Sequence, residues 1–138
     1  MNGTFRMANA LEGDRNAQDL AIRWICHPAS TDAKQLTVVG ATLAPGQGHA
    51  FHRHPAQEEV IYVLSGTVEQ WIDRDMRVLG PGDACFIPAG MVHASFHAGN
   101  GDARILAIFG PSVGSGFDTV EMSGEAPWST LRPIAVPA

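Results

Sequence analysis

Residues 46–66 read GQGHAFHRHPAQEEVIYVLSG and residues 82–97 read GDACFIPAGMVHASFH. In the first stretch Gly46, His52, His54, Glu59 and Gly66 are spaced G-x5-H-x-H-x4-E-x6-G. In the second, Gly82, Pro88, Gly90 and His93 are spaced G-x5-P-x-G-x2-H. Side chains alternate along a strand, so His52 and His54 point to one face, one pleat apart. Arg53, Phe51 and His49 are then expected on the opposite face. The turn signal Pro55-Ala56-Gln57 can reverse the chain and return Glu59 to the same place, and His93 arrives from a later strand after a tight Pro-x-Gly loop. Three imidazoles and one carboxylate suit a borderline divalent transition metal.

Outward from these stretches, strand-like runs alternate with turn signals. The runs are Leu20–His27, Gln35–Leu43, Ala50–His54, Glu59–Leu64, Thr67–Ile72, Met76–Leu79, Ala84–Ile87, His93–His97 and Arg104–Phe109. Between them stand Pro-, Gly-, Asn- and Asp-containing turns such as Gly80-Pro81-Gly82-Asp83 and Asn100-Gly101-Asp102. Short strands with turns every 6–12 residues predict an all-β sandwich or barrel. Residues 1–19 show no sustained period and read as an N-terminal arm, followed by a β-barrel domain over residues 20–110. Residues 111–138, rich in Gly, Ser and Pro with Phe117 and Trp128 as isolated anchors, read as an extended C-terminal tail lying over the domain with room for one short strand, the alternatives being a cover for the barrel mouth or a crossing to a second subunit.

The chain has 138 residues, enough for one core, with 45% apolar and 17% charged residues. A formal charge of −5 and scattered basic residues (Lys34 and single arginines) speak against a nucleic-acid surface. No apolar run reaches the ~18–20 residues of a membrane span, and the polar start is unlike a secretory signal, so a cytoplasmic location is expected. Cys26 and Cys85 are too few for a disulfide framework and read as reduced, buried thiols.

The paired motifs between Gly46 and His97 resemble those of the cupin superfamily. The resemblance implies a double-stranded β-helix, or jelly-roll barrel, and a metal site formed by His52, His54, Glu59 and His93. Glu59 is preferred to its neighbour Glu58 because it keeps six residues before Gly66 and puts Ile61 and Val63 in the core. The second motif departs from the family pattern at its end, where His97 stands in place of the usual Asn.

Four protein ligands on an octahedral ion leave two adjacent positions open, and the centre carries about one net positive charge. Such a centre favours a ligand that brings negative charge. The metal is therefore expected to be one divalent transition metal (Fe, Mn, Ni or Zn), and the protein a metal-dependent enzyme acting on a small enolisable or aromatic compound. Dioxygenase chemistry, an oxidoreductase activity, is the leading expectation, with an isomerase or lyase, or a non-catalytic small-molecule-binding barrel, as alternatives. His97 shares the face of His93 and is a candidate proton shuttle. Gln57, Trp71, Phe86 and Met91 are candidates for the substrate pocket. The resemblance also implies a homodimer, with Leu20–His27 suited to exchange between subunits.

Overall fold

The computed structural model describes residues 3–132. A 3-10 turn at Ala8–Ala10 leads into eleven strands and two one-turn helices among the described residues. In chain order the strands are β1 (Glu12–Arg15), β2 (Ala21–Cys26), β3 (Thr37–Leu43), β4 (Gly48–Arg53), β5 (Glu58–Ser65), β6 (Thr67–Ile72), β7 (Asp75–Leu79), β8 (Ala84–Ile87), β9 (His93–Ala98), β10 (Ala103–Gly110) and β11 (Val120–Glu121). The helices are α1 (Pro28–Thr31) and α2 (Trp128–Leu131). Two antiparallel sheets form, one ordered β1-β2-β3-β10-β5-β8 and the other β11-β4-β9-β6-β7. Together they make the expected double-stranded β-helix. Each of the nine strand-like runs became a strand, β2 to β10, within a few residues of the expected limits.

The two ends differ from the sequence reading. The segment taken as an arm contributes β1, which pairs antiparallel with β2 as an edge strand. Residues Glu12–Arg15 are exposed on both faces, so no period-two pattern marks them. The tail forms one short strand, and beyond it a helical turn that the sequence did not mark. Val120 and Glu121 pair with Arg53 and His52 on the edge of the second sheet. Met122, Trp128 and Leu131 then pack on Phe51, Val92 and Ala94 on that sheet's outer face. The last part of the predicted tail, residues 133–138, lies outside the described residues.

The barrel interior is apolar along most of its length. Leu43, Ile61, Val63, Val68 and Ile87 are buried together, and alternation in β5 sends Glu59, Ile61 and Val63 inward and Glu58, Tyr62 and Leu64 outward. Gly66, at the turn from β5 to β6, has φ +74°. A Cβ there would stand 2.6 Å from the Ala103 Cα, so both the left-handed backbone and the close approach of β10 require glycine. This turn fixes β5 against β10 and thereby the height of Glu59 in the barrel.

Candidate metal centre

His52 from β4, Glu59 from β5 and His93 from β9 project into the barrel, and His54 joins them from the end of β4. One potential ligand atom from each of the four residues lies within 4.8 Å of the other three, and all four residues are buried. The Glu59 carboxylate is nearest the centre, with its Oε1 2.9 Å from His93 Nε2 and 3.3 Å from His54 Nε2. Glu58 is exposed, as expected.

The donors are preset. His52 Nδ1 donates to the Ala50 carbonyl at 2.7 Å, His54 Nδ1 to the Asp118 carbonyl at 2.7 Å, and His93 Nδ1 to the Met91 carbonyl at 3.0 Å. With each Nδ1 committed to a carbonyl, each Nε2 lone pair is left for the centre. This is the arrangement that orients metal-binding imidazoles. His93 Nε2 and Glu59 Oε1 are close but badly aligned, and both are buried without a hydrogen-bond partner. Buried polar atoms left in this state are costly unless something else satisfies them. A divalent cation among the four would do so, and the residues fit one.

Without an ion, the imidazoles balance the buried carboxylate. Burial pushes the Glu59 carboxyl up, but contact with His54 and His93 outweighs it and holds the group at about 2. His54 is pushed down by burial and raised overall by the Glu59 carboxylate. His52 is driven well below the usual histidine value by burial.

A cavity of about 60 Å³ adjoins the quartet on the side of His52, His54 and Glu59. Its walls are mainly aliphatic and aromatic, with Leu43, Ile61, Ile105, Phe109 and Phe117 among them. Neither arginine nor lysine lines it. Its polar additions to the quartet are Asn16, Ser95 and His49. His49 was expected on the outer face. It lies instead inside, stacked on His52, because β4 carries a bulge between the two residues. Burial lowers its pKa to about 4, so the ring is neutral at neutral pH, and its Nε2 has no hydrogen-bond partner.

The other candidate residues lie away from the cavity. Gln57 is buried, but its amide is spent on the backbone of residues 111–118. Trp71 packs edge-to-face on Phe51 beneath the tail, because its position in β6 faces outward. Phe86 and Met91 are exposed, Phe86 on the outer face of β8 and Met91 in the loop before β9. His97 Nε2 donates to the Gly101 carbonyl at 2.6 Å across the β9–β10 turn and does not line the cavity. Sequence reasoning missed His49 and Phe117 as cavity residues. Phe117 could have been suspected as a lone aromatic in a polar tail, whereas nothing local marked His49.

Comparison with known proteins agrees with this geometry. The family described as the cupin domain matches residues 41–109, half of the chain. The dimethylsulfoniopropionate lyase DddQ of Ruegeria pomeroyi is 34% identical over 92 residues, covering 61% of this chain and 44% of DddQ. Germin-like protein 3-7 of Oryza sativa subsp. japonica is 31% identical over 75 residues, covering 49% of this chain and 31% of the rice protein. The chain thus spans less than half the length of these two curated relatives. Among solved structures, KdgF from Halomonas sp. superposes with a TM-score of 0.72 at 20% identity, covering 81% of this chain and 96% of KdgF. With both motifs, the two-sheet barrel and the buried quartet in place, the chain belongs to the cupin family.

Proposed function

We propose that the protein is a metal-dependent enzyme that moves a proton on a small organic anion, as a lyase or isomerase does. The observation that carries this reading is His49, a half-buried imidazole whose Nε2 is buried and unpartnered, in the wall of the cavity that His52, His54 and Glu59 also line. His52, His54, Glu59 and His93 would hold the ion, which when bound supplies a Lewis acid for a carboxylate or enolate oxygen. Because no arginine or lysine lines the cavity, the described residues offer no Arg or Lys charge to a substrate anion. The aliphatic walls accept a short apolar body, and a volume of about 60 Å³ suits one of a few heavy atoms. His49 accepts a proton from the carbon next to the activated group. The electron pair released then either expels a leaving group on the neighbouring carbon, or takes a proton at a second carbon. The name of DddQ, a lyase whose named substrate is a propionate, is consistent with this class.

The test starts with protein purified without chelator and its metal content. A panel of small carboxylates is then followed by proton NMR in D2O, with oxygen uptake recorded in parallel. Deuterium incorporation or elimination without oxygen consumption is the expected result. Oxygen uptake matching substrate loss would replace this reading with dioxygenation, the chemistry anticipated from the donor set. A tight metal site with no turnover would favour the binding module.

A further inference from the structure

We infer that Gln57 is a positioning residue of the metal centre: it clamps the tail segment 111–121 so that the Asp118 carbonyl orients His54. The inference rests on the metal-binding reading of the quartet and adds a residue that touches neither ion nor cavity. Gln57 sits in the turn between β4 and β5 and is 1% exposed. Its Nε2 donates to the Pro111 carbonyl at 2.7 Å and to the Gly116 carbonyl at 3.0 Å. Its Oε1 accepts from the Asp118 N–H at 3.0 Å. One side chain thus meets three backbone groups of a segment more than fifty residues away in sequence.

The next link is Asp118 itself. Its N–H goes to Gln57 and its C=O receives His54 Nδ1–H at 2.7 Å. Displacing the Asp118 peptide would cost His54 the partner that holds its tautomer and ring plane. His52 and His93 are tied to carbonyls two residues away in their own strands, so local backbone holds them. His54 alone of the three takes its carbonyl from the tail. Its orientation therefore depends on a long-range contact, and Gln57 is the side chain that bonds directly to the residue making it. By linkage, a seated tail strengthens metal binding and a bound metal steadies the tail by the same factor.

The test uses the whole chain with Zn2+ as probe, its affinity read by competition with a chromophoric chelator. Gln57→Leu, close in size but without hydrogen bonds, is expected to weaken Zn2+ binding ~10–100-fold, the usual effect of losing a group that orients a ligand. Gln57→Glu, which can still accept from the Asp118 N–H and, protonated, donate to a carbonyl, should restore most of that loss. Thr37→Val is the control for a merely structural role. Thr37 Oγ1 also tethers the tail, donating to the Gly116 carbonyl at 2.8 Å, but it does not touch Asp118. This variant should lower the melting temperature and keep Zn2+ affinity within about twofold, well inside the range that losing an orienting group produces. Unchanged affinity in Gln57→Leu, or an equal loss in Thr37→Val, would overturn the inference. If Gln57→Leu fails to fold, the unaltered protein decides: Zn2+ must slow amide exchange at Asp118, and unchanged exchange refutes the coupling. Failure of the unaltered protein to bind Zn2+ would refute the metal reading along with it, whereas normal binding with no effect of Gln57 refutes this inference alone.

Discussion

The imidazole of His49 lies face to face on that of His52, with ring centroids 3.4 Å apart and planes 7° from parallel. Residues three apart on a regular strand point to opposite faces. The pairing of β4 with β9 runs from His49 opposite Ser95 to His52 opposite His93, so three steps on one strand match two on the other. The extra residue turns His49 inward. A histidine expected on the outer face is thereby placed beside His52 in the cavity wall, where its Nε2 is 3.6 Å from Glu121 Oε1.

Replacing this ring by an apolar one of similar shape tests its part in turnover. His49→Phe keeps a ring on His52 and removes the proton acceptor. Metal content should be unchanged, while kcat falls by roughly 10²–10⁴-fold, the usual contribution of a general base. Loss of metal together with activity would show instead that the ring only supports His52.

Acid should destabilise the metal-free protein before carboxylates titrate. His49 is held at about 4 and His52 well below the ordinary value of 6.5, both chiefly by burial. Their folded values are depressed, so below pH 6.5 the unfolded chain binds more protons and stability falls as pH drops towards 4. For His49 alone the loss is on the order of 3 kcal/mol. His54 works in the other direction: its raised value gives stability that is full below 6.5 and fades as pH rises through the folded value. Glu59, held at about 2, adds a loss only below about 4.5. Urea unfolding in the presence of chelator should therefore show a maximum near pH 6.5 and a clear drop by pH 4.5. A midpoint that stays level between those two values would contradict the buried, neutral state of His49 and His52.

Phe117 should set the size of the substrate. It stacks on Phe109 at 5.0 Å and on Trp24 at 5.7 Å, and it forms part of the cavity wall. Phe117→Ala opens that wall without removing a metal donor. In a homologous series of carboxylates, the best substrate should become longer by one or more carbons, and kcat/KM for the shortest should fall. An unchanged order of preference would show that another wall limits the guest.

The outer face of the first sheet is where a second subunit would dock. Phe86, Tyr62 and Leu64 are 53%, 39% and 39% exposed there, with Phe86 beside Val60 and Tyr62 beside Leu106 in neighbouring strands. The outer face of the second sheet is already covered by Met122, Trp128 and Leu131. Light scattering is expected to give twice the 14.7 kDa chain mass, and Phe86→Arg should halve it. A monomer at all concentrations would remove the homodimer expected from the sequence.

How much was legible in the sequence varied with the range of the forces involved. The strands of the barrel were legible because period-two alternation and Gly/Pro punctuation are local signals, and nine runs became β2 to β10. Glu59 was separable from Glu58 by its spacing to Gly66 and by parity, since Ile61 and Val63 had to point the same way. Trp71, Phe86 and Met91 were not placeable, because an aromatic or Met side chain suits a cavity wall, an outer face under a tail and an exposed face equally well. Gln57 was noticed for its place between the ligands, but its partners lie more than fifty residues downstream.

What the residues determined by themselves was the barrel and, through the paired motifs, the candidate quartet, since spacing along a strand dictates which side chains share a face and turn residues dictate where the chain comes back. What only the tertiary structure decided was the company those donors keep. The bulge that brings His49 inward belongs to the register of two paired strands, not to β4 alone. The carbonyl that orients His54 is a backbone atom of Asp118, and a carbonyl has no letter in a sequence. It is in place because Gln57 and the edge of β4 hold the returning tail, contacts between segments more than fifty residues apart in sequence.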